Sequence, residues 1–246
     1  MKRSHVLPLL AAAAGLAVGG IGSAALSQSA PSPRDRAAIE RIVHDYILAH
    51  PEILPEAMAR LQDREGARAI ATERAALTTP FRGAWAGAET GDVTLVMFSD
   101  YACGYCRASV ADVDRLLAED KKLKVVWREI PILGPNSEAA ARAALAAAGP
   151  ADGKGGRYLD LHRRIFAGGS PTPAKLAAAE TALGLDPAAI ATAARAPAID
   201  EEIRQNIALA QKLGVSGTPA FVVGDKVLGG AVGYEALKQA VAAARG

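Results

Sequence analysis

Val93-Thr94-Leu95-Val96-Met97-Phe98, followed four residues later by Cys103-Gly104-Tyr105-Cys106, is the stretch on which the reading of this chain turns. The apolar run reads as a buried strand, and Tyr105–Ala118 reads as a helix. The strand therefore delivers the first sulfur to a helix start, where unpaired backbone N–H groups and the helix dipole favour an anion. A free thiol titrates near about 8.5, and helix N-termini and Cys-x-x-Cys motifs bring it into roughly the 3.5–7.5 range. Cys103 is thus expected to be a thiolate near neutral pH. The spacing puts Cys106 one turn later on the same face, within reach of a small disulfide.

Two other uses of the pair are weaker. A zinc site needs four ligands, commonly a second Cys-x-x-Cys or a His pair. These are the only two cysteines, and His5, His44, His50 and His162 are scattered along the sequence. A purely structural disulfide closing a two-residue loop would constrain little of the unfolded chain. No metal site and no cofactor are expected.

Working outward, Leu123–Ile130 reads as a second strand, and strand, helix, strand in this order gives a βαβ unit with a parallel pair. Helical segments follow at Ser137–Ala148, Tyr158–Phe166, Pro173–Leu183, Pro187–Ala194 and Ile199–Leu213. Several start at cap signals, with Asn136 or Ser137, Thr172 before Pro173, and Asp186 before Pro187. Strand character returns at Pro219–Val223, turns at Gly224-Asp225 and continues through Lys226–Leu228, and Tyr234–Arg245 closes as a helix. The fold expected is α/β: a thioredoxin-like fold over residues 80–246 with a helical domain inserted at about 135–213.

The N-terminal part reads differently. Met1-Lys2-Arg3, an apolar stretch over Val6–Val18 and the small residues Gly22-Ser23-Ala24-Ala25 have the layout of a secretory signal peptide, assigned to residues 1–25. Export to the periplasm is expected, and a single exchangeable pair is unusual in an oxidising compartment unless the pair is used. Residues 26–34 read as a flexible tether. From Asp35 the residues Ile39, Ile42, Val43, Tyr46 and Ile47 form a helical stripe that stops at His50-Pro51. A short amphipathic piece over Ile53–Leu61 and a polar helix over Gln62–Leu77 complete a segment at 35–79. It is too small to bury its own stripes, so it must pack on the main domain or on copies of itself; self-association is expected, the charged connecting helix standing as a solvated stalk.

Composition excludes little but points consistently. The chain has 246 residues, half of them hydrophobic, and a formal charge of +2. Its basic residues are interspersed with acidic ones, which gives no nucleic-acid surface.

Phe98–Cys106, Arg128-Glu129-Ile130-Pro131-Ile132-Leu133-Gly134 and Gly217-Thr218-Pro219-Ala220-Phe221-Val222-Val223 together resemble the DsbA-like thiol–disulfide oxidoreductases, with the prefix closest to the ScsC and Com1-like periplasmic branch. The resemblance implies catalysis by Cys103 and Cys106, and a cis Pro219 lying against them. It also implies a substrate surface that includes Gly104, Tyr105, Thr218 and Pro219. Exchange would run through a mixed disulfide with disulfide-containing substrate proteins, and a DsbD- or DsbB-like membrane thiol partner would reset the pair. Gly-Tyr between the cysteines, Thr before the proline and an oligomerising prefix resemble the isomerases and reductases of the group more than its dedicated oxidase. One departure stands out: relatives usually place a buried glutamate six residues before the first cysteine, and here that residue is Met97. Asp100 and Glu129 are the candidates for a proton relay in its place. A dithiol oxidase, a copper-binding or copper-tolerance protein using the same thiolates for Cu(I), and a binding-only chaperone are the competing readings.

Overall fold

The computed structural model of the chain describes residues 32–149 and 156–246. Residues 1–25, expected to be a signal peptide, and residues 26–31 of the expected tether lie outside these. Residues 32–34 are not tether: α1 spans Pro33–Ala49, Ser32 caps it, and Asp35 completes a capping box with Ser32. Proline at the first helical position adds to the start signal. α1 belongs to a unit that ends at Ile53, and its apolar stripe is bare, with Ile39, Ile42, Val43 and Tyr46 all more than half exposed.

The second unit begins at Leu54. Its first element, α2, runs unbroken over Ile53–Thr78, where the sequence predicted two pieces. Nothing interrupts it at Leu61–Gln62 because no proline or cap residue stands there, and Gly66 is carried mid-helix at a modest cost. The solvated stalk expected over Gln62–Leu77 is corrected by its packing, while the amphipathic piece before it is open. Leu54, Met58 and Leu61 are exposed, but Ile70 and Leu77 are buried against the sheet, each contributing about 1.5–3 kcal/mol.

β1 (Trp85–Gly87) precedes β2 (Val93–Ser99), α3 (Gly104–Glu119) and β3 (Leu123–Glu129). The helices α4 (Pro135–Ala147), α5 (Gly156–Ala167), α6 (Pro173–Thr181), α7 (Pro187–Ala193) and α8 (Pro197–Lys212) follow. β4 (Ala220–Val223), β5 (Lys226–Gly229) and α9 (Tyr234–Arg245) close the chain. The five strands lie in the order β1-β3-β2-β4-β5. β2 and β3 run parallel, Val93 opposite Leu123 through Ser99 opposite Glu129, and the other neighbours are antiparallel. β1, which the sequence did not reveal, pairs at the β3 edge and is too short to show a periodicity.

Period-two alternation sorts the sheet residues onto two cores. Leu95, Met97, Val125, Trp127, Phe221 and Val223 face one side, with α3, α9 and most of the inserted helices. Val96, Phe98, Val126, Ala220 and Val222 face the other, with Ile70 and Leu77 of α2 and Leu209 and Ala210 of α8. The second side is fastened by Arg128. Its guanidinium donates to the Ala76, Leu77 and Thr79 carbonyls at the end of α2 and to Glu202 of α8, the last at 2.9 Å. It thereby satisfies carbonyls that the helix terminus leaves unpaired. No helix among the described residues is long and apolar enough to cross a membrane.

Candidate functional site

β2 ends at Ser99, and the chain turns through Asp100–Ala102 so that Cys103 becomes the N-cap of α3. The Cys103 amide donates to the Asp100 carbonyl at 3.0 Å, which closes the turn. The Cys106 amide points back at Cys103 Sγ at 3.4 Å. Across the site the Thr218-Pro219 peptide is cis, and the Thr218 carbonyl accepts from Cys103 Sγ at 3.2 Å. Cys103, Cys106, Thr218 and Pro219 are therefore brought together from segments more than a hundred residues apart.

The two free thiols differ. Cys103 is 7 % exposed and Cys106 is sealed at 0 %. The Cys103 sulfur lies against the Thr218 carbonyl rather than open to solvent. Desolvation pushes the Cys103 thiol up, but the Thr218 side chain and the amides of Cys106 and Tyr105 outweigh it and leave it below the ordinary thiol value. Burial, followed by the neighbouring Cys103, pushes Cys106 far up. The surroundings shift one sulfur toward ionisation and the other away from it.

Gly104 opens α3, and Tyr105 stands 71 % exposed beside Cys103. A Cβ added at Gly104 would meet nothing closer than the Arg107 guanidinium at 3.6 Å, so bulk is not what demands glycine there.

The two carboxylates offered by the sequence turn away from the sulfurs. Asp100 accepts from the amides of Ala102, Ile132 and Leu133 at 2.7–2.9 Å, and from the Ser137 hydroxyl. It is a clamp between the cysteine loop and the β3–α4 turn, with its lone pairs taken up by four donors. The clamp holds Ile132 and Leu133, both about half exposed, alongside that loop.

Glu129 is fully buried and accepts from the hydroxyls of Ser99, Tyr101 and Tyr158. Burial, and then the Glu129 charge, push both phenols well above their ordinary value, so they serve as donors. Since Tyr101 gives its one proton to Glu129, its oxygen accepts from His162 Nδ1 at 2.9 Å. Among the described residues neither carboxylate is hydrogen-bonded to a sulfur. Met97 is buried between Trp127 and Phe221 in the sheet register, and the Trp127 Nε1 has no hydrogen-bond partner.

Sequence reasoning missed Ser99, Tyr101, Tyr158 and His162 around Glu129. The available signal was a glutamate closing an apolar strand, which demands buried donors. Tyr158 and His162 four residues apart on α5 could have supplied a face for it.

Residues 94–242 match the family of DSBA-like thioredoxin domains, and residues 35–68 match the N-terminal domain of the copper resistance protein ScsC. A thioredoxin-like oxidoreductase from Silicibacter pomeroyi DSS-3 is 39% identical, with a TM-score of 0.63 over 69% of this chain and 95% of that one. A linker-deletion mutant of Proteus mirabilis ScsC is 26% identical, with a TM-score of 0.67 over 89% of this chain and 98% of that one. The chain spans about a quarter of the length of the curated relatives it matches. The Na(+)/H(+) antiporter NhaA 1 of Salinispora arenicola is 32% identical over 163 residues, 64% of this chain and 24% of that protein.

Proposed function

This chain belongs to the DSBA-like thioredoxin domain family of thiol–disulfide oxidoreductases, and we propose that it exchanges disulfides with exported substrate proteins through Cys103 and Cys106, leaning to isomerisation and reduction. The observation that carries this reading is the asymmetry of the sulfurs. Cys103 is lowered at the α3 N-terminus beside cis Pro219, and Cys106 is raised behind it.

The Cys103 thiolate attacks one sulfur of a substrate disulfide, forming a mixed disulfide and releasing a substrate thiolate that takes up a proton. In isomerisation a substrate thiolate then attacks a sulfur of the intermediate, and Cys103 leaves as thiolate with no net redox change. In reduction Cys106 loses its proton and attacks the Cys103 sulfur. The substrate leaves with two thiols and the chain with one disulfide, which a DsbD-like membrane thiol partner reduces. Run backwards with a DsbB-like partner, the same steps make the chain an oxidase. Water carries the Cys106 proton, since Met97 stands where an acid would and the Asp100 and Glu129 carboxylates are engaged elsewhere. The surface bearing Gly104, Tyr105, Thr218, Ile132 and Leu133 receives an extended apolar segment next to the disulfide.

The exposed stripe of α1 supports homo-oligomers built through the N-terminal helical segment. Several sites on one assembly raise the effective concentration of a second attacking thiolate. Periplasmic export through residues 1–25 fits the same picture.

Refolding of a scrambled multi-disulfide protein tests the reading. The wild type restores its activity and Cys103→Ser falls to the uncatalysed rate; equal recovery by the mutant overturns the proposal. The name of the domain matched at 35–68 favours a second reading, Cu(I) held by the two thiolates. One-to-one Cu(I) retention against a competing chelator, lost in Cys106→Ser, supports it, and absence of retention removes it.

A further inference from the structure

Cys106 is followed at once by Arg107 in the first turn of α3, and Lys175 stands in the first turn of α6, both exposed. The Arg107 guanidinium folds back along its own turn, where a Cβ added at Gly104 would meet Nη2 at 3.6 Å. Its other arm reaches the loop between α5 and α6. A Cβ added at Gly169 there would meet Arg107 Nη1 at 3.5 Å and Lys175 Nζ at 3.8 Å. The ammonium donates to the Ser170 carbonyl at 3.3 Å, which holds it over the same loop. Two cations thus converge beside the residue that follows Cys103.

This placement works against the fold's own electrostatics. A cation in the first turn of a helix meets the positive end of the dipole, and two like charges brought together repel. Elsewhere the chain answers such charges locally, with Arg60, Arg115 and Arg142 each meeting a glutamate four residues away. Arg107 and Lys175 have no acidic residue three or four positions away, and among the described residues neither enters an ion pair. Asp114, further along α3, is taken by Arg163 at 2.7 Å. The segments tied to the cysteine turn by hydrogen bonds or by Arg107 are 131–136, 168–175 and 217–219. Together with 104–107 they carry these two cations and no carboxylate.

We propose that Arg107 and Lys175 set the specificity of exchange at Cys103, favouring polypeptides in which an aspartate or glutamate flanks the cysteine under attack. The inference rests on the redox reading above and adds a substrate class to it. When a substrate sulfur meets Cys103, the residues on either side of that cysteine pass over Gly104 and Tyr105, next to the guanidinium folded onto Gly104. A carboxylate there accepts from the guanidinium fork and from the ammonium's remaining N–H groups. It also relieves the repulsion between them, whereas a lysine in the same place adds a third cation.

The test uses acetyl-Ala-Asp-Cys-Asp-Ala-amide activated as its 2-pyridyl disulfide, with counterparts carrying Asn or Lys in place of both Asp residues. The Cys103 thiolate of the reduced chain attacks the peptide sulfur and forms a disulfide with it. Pyridine-2-thione leaves with the electron pair, takes up a proton and is followed by its absorbance. Dividing each rate by that of the same peptide with 2-mercaptoethanol removes differences in intrinsic reactivity. At low ionic strength the Asp peptide is expected to react about three- to ten-fold faster than the Asn peptide, the scale of one or two exposed ion pairs. The Lys peptide should be slowest, and the spread should shrink toward unity at about 0.5 M salt. Arg107→Glu with Lys175→Glu should invert the order, which a merely structural role would not do. Equal rates for the three peptides, or an order unchanged in the double variant, overturn this proposal and leave the redox reading standing. If no peptide reacts faster than with 2-mercaptoethanol, the redox reading falls and this proposal with it.

Discussion

Around Cys103 and Cys106 the two buried carboxylates are accounted for. Asp100 accepts four hydrogen bonds, Glu129 accepts three, and Met97 and Cys106 are sealed from solvent. Along α1, by contrast, Ile39, Ile42, Val43 and Tyr46 are all more than half exposed among the described residues. The redox domain buries its apolar residues within one copy, and the N-terminal helix leaves its stripe exposed. α2 takes part in both styles, exposed at Leu54, Met58 and Leu61 and docked at Ile70 and Leu77. The change from one style to the other comes within a single helix, where its apolar residues first meet the sheet.

The sharpest way to break that contrast is to undo the docking. Arg128→Met leaves Glu202 and the α2 carbonyls without their buried donor, and it should cost about 3–5 kcal/mol in urea unfolding. A loss below about 1 kcal/mol would mean that α2 is not fastened there.

A smaller change should fall on the unfinished side alone. Ile42→Glu with Tyr46→Glu should reduce the mass in light scattering to that of one chain. Turnover of a small disulfide should stay within about two-fold, because both positions are exposed and belong to the unit that does not carry the cysteines. An unchanged mass would show that the stripe is not the interface.

The finest test concerns the thiolate. Thr218→Val removes a side chain that lowers Cys103, so the ultraviolet titration of the thiolate should move up toward the ordinary thiol value. The sign of the linked stability follows. A native pKa below the unfolded value near about 8.5 makes the reduced chain gain stability as pH rises through that window. The gain is lost as pH falls through the native pKa, and Thr218→Val should shrink it.

Much of this was legible in the residues because local patterns carried it. The apolar run before Cys103, the cap and proline at each inserted helix, and Gly224-Asp225 between short strands each state their element within a dozen residues. What was not legible depended on distant partners. Trp85-Ala86-Gly87 forms a strand only because β3 offers an edge, and Arg128 meets Glu202 across 74 residues. Asp100 looked available for proton transfer because nothing nearby in sequence announces that the turn after β3 will bring two amides and Ser137 to it. The stalk reading of α2 failed at Ile70 and Leu77 for the same reason, since an alanine-bearing charged helix gives no local sign of the sheet face beneath it.

The most direct measurement of the central claim is brief alkylation of the reduced chain by iodoacetamide at pH 7, with peptide mass mapping of the label. The account predicts rapid modification of Cys103 alone, with Cys106 protected until the chain is unfolded. Equal labelling of both sulfurs, or labelling of Cys106 first, would contradict it.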